Sequence, residues 1–269
     1  MRGCGPHFPG RNRALATGLV QGANGSKLDV MIGSLSISDW HALAPGLVDR
    51  EAWQAWASGG PWDEEGEMPA FKRIPPMMRR RMSIISRLSV EVALTLLERH
   101  DCDYGIFVSR HGELPRTLKQ LEIMVENQAL SPTDFSHSVH NAAAGHFTIA
   151  GKRNIPVTSI AAGNDGFQQS IFEALAHLHG GNCRNVFLIY FDDHLPEVYA
   201  PYVREKSRCY AFGLVVQQGA QWALNTQEAR PEGNLEEPDT LRFLNAWLKG
   251  ERKFIVEGPR RDMEWLCQS

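Results

Sequence analysis

The chain lacks any apolar run near the roughly 18 residues that a membrane-spanning helix requires, so no membrane span is expected. Its five cysteines, Cys4, Cys102, Cys183, Cys209 and Cys267, are scattered, odd in number and never spaced as CxxC. That usage argues against a disulfide framework or a structural zinc, and for a reducing cytoplasm. The N-terminus has no sustained apolar stretch, because Thr17 and Gly18 interrupt it, so a secretory signal is not expected. There is no Gly-x-Ser-x-Gly elbow, which disfavours hydrolase chemistry, and no histidine follows His194. Charge of either sign is not in excess: a net −3 gives no reason to expect nucleic acid as a partner. Internal repeats and low-complexity tracts are missing as well.

What is present is ordinary for a globule: 269 residues, 43% hydrophobic and 22% charged, enough for a core without staples. Residues 1–28, rich in Gly, Arg and Asn, show no periodicity and read as a disordered extension, or as sequence ahead of a later start such as Met31; 29–269 read as one domain. A strand is expected over 30–37. Ser38 or Asp39 then caps a helix carrying Trp40, Leu43 and Ala44, and a second short helix holds Trp53 and Trp56. After an acidic, Gly-rich loop at 58–69, Pro75-Pro76 opens a long helical pattern to about His100, with Met82, Ile85, Leu88, Val92 and Leu96 on one face. Strands at 104–109, 154–160, 185–191 and 210–216 alternate with helices at 114–125, 167–178 and 237–248, followed by a mixed tail. That alternation predicts an α/β layered fold.

The most telling stretch is 131–167, SPTDFSHSVHNAAAGHFTIAGKRNIPVTSIAAGNDGF: a polar turn, a small-residue helix, a short apolar strand and a sharp small-residue bend into another helix. Together with FVSRHGEL at 107–114, it resembles the N-terminal half of the β-ketoacyl synthases. The likeness is best over 75–191, is faint beyond Tyr202, and is nearest to the short, stand-alone chain length factors of aryl polyene and type II polyketide clusters. The resemblance implies a thiolase-like α/β fold, truncated to mainly its N-terminal half. It also implies a cysteine at the strand-to-helix bend and two histidines from the second half of the fold. Here the cysteine position falls on Gly163 or Asn164, and both histidine motifs are missing. A condensing enzyme needs the thiolate to carry an acyl group and the imidazoles to promote decarboxylation and steady the oxyanion. The implied role is therefore that of a pseudo-enzyme subunit with no catalytic residues of its own. It would form a heterodimer with a full-length ketosynthase and shape that partner's acyl tunnel.

By the same resemblance, Phe135, Ser138, His140, Asn141, Ala161 and Ala162 face the partner and line the tunnel. Arg79, Arg80 and Arg81 form a basic cluster suited to an acidic acyl carrier protein, or simply a solvated helix face. His137 and His140 stand three apart and could pair on a helix, but no carboxylate or cysteine completes a metal set, and neither metal nor cofactor is expected. Asp192-Asp193-His194 reads as a hydrated turn, and Cys183 as a passive thiol. Two other readings stay open: an active synthase or acyltransferase with an atypical nucleophile, and a scaffold that only binds carrier protein.

Overall fold

The computed structural model describes residues 30–181, 183–203, 205–230 and 236–268; the expected extension at 1–28 lies outside the described residues. Along the chain, β1 (Val30–Leu43) leads to α1 (Arg50–Ala57), α2 (Pro76–Arg79) and α3 (Ile84–Arg99). β2 (Tyr104–Val108) is followed by α4 (Leu114–Val125), α5 (Pro132–Ser136) and α6 (Ala142–Gly151). β3 (Val157–Ile160), α7 (Gly166–His179) and β4 (Asn185–Asp192) complete a parallel unit. β5 (Tyr210–Glu228), α8 (Asp239–Leu248), β6 (Lys253–Val256) and β7 (Arg261–Cys267) finish the sheet in antiparallel fashion. The sheet order is β3-β2-β4-β5-β7-β6, with β1 also paired to β5.

Helices cover both faces, and β4 shows why its sequence is a continuous apolar run. Val186, Leu188 and Tyr190 face a core shared with Phe167 and Ile171 of α7 and Phe243 of α8. Phe187, Ile189 and Phe191 face the other core, with Val92 and Leu96 of α3 and Phe147 of α6. A strand buried on both sides has no polar alternation to display. α3 comes close enough to β5 that a Cβ at Gly213 would lie 2.7 Å from both Leu96 Cδ1 and Val92 Cγ1, so the glycine is required by packing.

Three expectations are corrected. Asp39 caps no helix: residues through Leu43 continue β1, because an antiparallel ladder with β5 claims them, pairing Trp40 with Leu214 and Leu43 with Ala211. Asp39 instead takes an ion pair from Arg50 and a 3.0 Å contact from His100. The helical pattern from Pro76 is broken: α2 stops at Arg79, and Ser83 starts α3 by accepting the Ser86 amide on its Oγ at 3.1 Å. The strand expected to stop at Val216 runs on to Glu228, and the mixed tail is the β6–β7 hairpin.

Candidate functional site

The bend between β3 and α7 is made by Ala161, Ala162 and one 3-10 turn, Gly163–Asp165. Gly163 adopts φ +60°, where a side-chain-bearing residue is strained by about 1–2 kcal/mol. A Cβ there would meet nothing within 4 Å, so the backbone and not space favours glycine. Neither Gly163 nor Asn164 offers a nucleophile.

The start of α7 is already occupied by a carboxylate from another helix. Asp239, the first residue of α8, accepts the Phe167 amide on Oδ2 at 3.1 Å, and its Oδ1 accepts the Thr240 amide at 2.7 Å. Burial pushes its pKa up to about 6, against the pull of those amide donors and Arg242. Gly163, Asn164, Phe167 and Asp239 line one cavity of about 30 Å³. That is room for roughly one or two waters, far below the 300 Å³ or more of a small-molecule site.

Across this cavity stands a second carboxylate, Asp192. It is not the hydrated turn expected: it accepts from Ser109 Oγ at 2.8 Å and from the amides of Arg110 and His111, each at 3.1 Å. Burial raises its pKa against these bonds. Ser109 is thereby committed, since its Oγ also accepts the Gly112 amide at 2.7 Å. Arg110 is paired with Glu205.

His140 reaches into the same loop, its Nε2 2.9 Å from the Ser109 carbonyl oxygen. Gly112 sits beneath it at φ +55°, and a Cβ there would come within 2.9 Å of His140 Cδ2. His137 stacks on His146, with centroids 4.9 Å apart, while His140 meets the Ser109 carbonyl, so the pairing that a helix could have given them is not formed. Among the described residues no group of three His, Cys, Asp or Glu is placed to hold a metal.

Of the residues expected to face a partner, His140, Asn141 and Ala161 line one open groove of about 560 Å³, along α6 and β3, together with Gly145 and Thr158. β3 is the terminal strand at this end of the sheet order. Phe135 and Ser138 do not line the groove; Phe135 is 58% exposed, and Ser138 Oγ donates to the Phe135 carbonyl at 2.9 Å. Ala162 is half-buried and does not line it either. Ile149 on α6 is 69% exposed, which no periodicity argument singled out. The arginine cluster divides: Arg79 folds back to donate to the Phe71 carbonyl at 2.7 Å, while Arg80 and Arg81 line a separate groove.

The family model described as the N-terminal domain of β-ketoacyl synthases matches residues 53–266. This chain belongs to that family. A solved complex of a ketosynthase (ApeO) with its chain length factor (ApeC) from Xenorhabdus doucetiae contains a chain 36% identical to this one, with a TM-score of 0.80. The match covers 87% of this chain and 99% of that one. The ishigamide ketosynthase/chain length factor aligns at 14% identity and TM-score 0.59, over 74% of this chain and 69% of that one. A β-ketoacyl synthase from Burkholderia phymatum STM815 aligns at 12% and 0.53, over 82% and 71%. Among curated proteins none matches. The fold is thiolase-like and corresponds to the N-terminal domain of the ketosynthases. The likeness, faint by sequence beyond Tyr202, continues to residue 266, through β5, α8 and the β6–β7 hairpin.

Three cysteines of this ketosynthase-family chain, Cys102, Cys183 and Cys209, are held away from the thiolate form. Burial, with Asp103 and Asp101 adding to it, pushes the Cys102 thiol up to about 12. Burial and Asp103 raise Cys183, and burial with Asp193 raises Cys209. Each of these shifts disfavours the reactive anion.

Proposed function

We propose that this chain is a non-catalytic, chain length factor-type subunit that pairs with an active β-ketoacyl synthase and shapes its acyl tunnel in aryl polyene- or polyketide-type synthesis. The observation that carries the reading is the strand-to-helix bend. The position at Gly163 and Asn164 bears no thiol, and the amide cradle behind it is filled by Asp239, in a cavity too small for an acyl chain. The 36% identical relative, found in a complex of a ketosynthase with its chain length factor, supports the same role. The partner face is the β3 edge with the α6 groove, where His140, Asn141 and Ala161 lie, joined in this reading by the exposed Phe135 of α5. An exposed sheet edge offers backbone groups to a partner strand, and the adjoining apolar residues supply the area to be buried. An acyl carrier protein, delivering substrate to the pair in the cytoplasm, completes the assembly.

Co-expression with a full-length ketosynthase of the same pathway tests this. The two chains are expected to co-elute, elongation is expected only from the pair, and Phe135→Trp is expected to shorten the product while Phe135→Ala lengthens it. Separate elution of two folded chains, or elongation by this chain alone, overturns the proposal.

A further inference from the structure

His140 joins the loop after β2 to the open groove along α6 and β3. Its place is set from the loop side. Asp192, the last residue of β4, accepts from Ser109 Oγ at 2.8 Å, and that Oγ accepts the Gly112 amide at 2.7 Å. The Ser109 carbonyl, fixed in this way, meets His140 Nε2 at 2.9 Å. Gly112 lies so near that a Cβ would stand 2.9 Å from His140 Cδ2 and 3.3 Å from its Cα. The Nε2–Cδ2 edge of the ring is therefore held against the loop.

That geometry decides which nitrogen carries the proton. A carbonyl oxygen only accepts, so Nε2 is the N–H, and in the neutral ring Nδ1 is left as a bare acceptor. Nδ1 is on the ring edge opposite Cδ2 and has no hydrogen-bond partner among the described residues. Unlike the unpartnered Nδ1 of His41, it is not buried; it opens into the groove that His140 lines.

Asn141 supplies a second, independent sign. It is the N-cap of α6, its carbonyl accepting the Gly145 amide at 3.0 Å. An asparagine at that place ordinarily turns its side chain back onto the helix amides. This one makes no capping bond, is exposed, and lines the same groove. A fixed acceptor thus stands beside an amide that offers both a donor and an acceptor. A surface that closes the groove without donating to Nδ1 leaves that nitrogen desolvated and unpaired, which penalises the wrong partner.

We infer that His140 Nδ1 and the Asn141 amide are the specificity-determining polar pair of the partner face. The ketosynthase that docks here presents an N–H or O–H donor to Nδ1, and a surface lacking that donor is rejected. The inference rests on the ketosynthase-pairing role and adds what the partner must carry.

The full chain, with nitrogen-15-labelled histidines, is titrated with a full-length ketosynthase of the same pathway. The His140 signals are assigned by their loss in His140→Gln. In the free chain His140 is expected as the Nε2–H tautomer, and its Nδ1 resonance is expected to move upfield in the complex, as an accepted hydrogen bond requires. A ring that serves only to hold the loop leaves that resonance unmoved. His140→Leu is expected to weaken association about 10-fold or more, while His140→Gln, which returns an N–H for the Ser109 carbonyl and an oxygen acceptor, stays within about threefold of the parent. Asn141→Ala removes no capping bond, so Tm is expected to hold while association weakens about threefold or more. An Nδ1–H tautomer in the free chain, an unmoved Nδ1 signal in a complex that forms, or unchanged affinity in both His140→Leu and Asn141→Ala overturns the inference and leaves the pairing role standing. Separate elution of the two parent chains from a sizing column removes the pairing role and the inference with it.

Discussion

At the scale of single residues, the chemistry turns on what surrounds the α7 N-terminus. A thiolate at such a position is normally favoured by the free amides and dipole of the helix. Here Asp239 has taken the Phe167 amide, so a restored thiol would face a carboxylate across a cavity of about 30 Å³. Gly163→Cys and Asn164→Cys are therefore expected to give slow, high-pH alkylation by iodoacetamide and no acyl transfer. Pairing either with Asp239→Asn is expected to speed the alkylation at neutral pH. A fast-reacting cysteine in the single variants would show that the plug is electrostatically irrelevant. The strand-to-helix bend that holds Gly163 and Asn164 was legible in the sequence, because it needed only a local motif. Asp239 was not, since it comes from 72 residues beyond Phe167 and looks like a routine helix-start aspartate. Asp192 is hidden for the same reason. A carboxylate after a strand looks hydrated until the fold wraps the 109–111 backbone around it.

At the scale of elements, the strands and helices with a single dominant period were readable. β2, β4, α7 and α8 lie within a few residues of where their sequences put them. Apart from the break between α2 and α3, the failures share one cause, long antiparallel pairing. β5 carries QQGAQ at 217–221, which reads as a loop. In the sheet this is where the register against β1 jumps, from Ser36 opposite Gln217 to Leu35 opposite Trp222. Gly219 passes so close to Ser36 that any Cβ would overlap its Oγ. Tertiary pairing overrides local propensity there, and the same pairing drew the 38–43 segment away from a helix. The helix pattern of α6 also concealed Ile149, which points outward. Ile149→Asp is expected to leave the thermal stability of the chain within about 0.5 kcal/mol of the parent, as for other exposed sites. The same change is expected to weaken capture of the ketosynthase at least 10-fold in a pull-down titration. Equal capture would remove α6 from the partner face.

At the scale of the whole molecule, buried titratable groups set a pH response that no single element determines. Burial holds His41, His111 and His146 neutral down to about pH 4, helped by Arg99 and Arg50 at the first, Arg110 at the second, and His137 and Arg116 at the third. In the unfolded chain each titrates near 6.5, so their contribution is complete above that pH and is lost as pH falls from 6.5 towards 4. Asp239 works in the opposite sense. Its folded value is about 6 against 3.8, so the cost of burying its charge is complete above pH 6 and is relieved as pH falls to 3.8. A tenfold change in proton affinity corresponds to about 1.4 kcal/mol, which puts the Asp239 cost at up to ~3 kcal/mol at neutral pH. Asp165 and Asp192, also raised by burial, act in the sense of Asp239. The histidine loss sets in at 6.5, above the value of about 6 where relief of Asp239 begins, so the melting temperature of the full chain is expected to fall as pH is lowered from 7 to 5. Asp239→Asn removes one of these opposing groups while its side-chain oxygen can still accept the Phe167 amide. Its advantage over the parent is then expected to be largest at pH 7 and to shrink steadily towards pH 4. A gap that stays constant across that range would mean that Asp239 takes up its proton at the same pH in the folded and unfolded chains, so that burial does not shift it. The buried carboxylate would then carry its charge without penalty, compensated by the Phe167 and Thr240 amides and by Arg242.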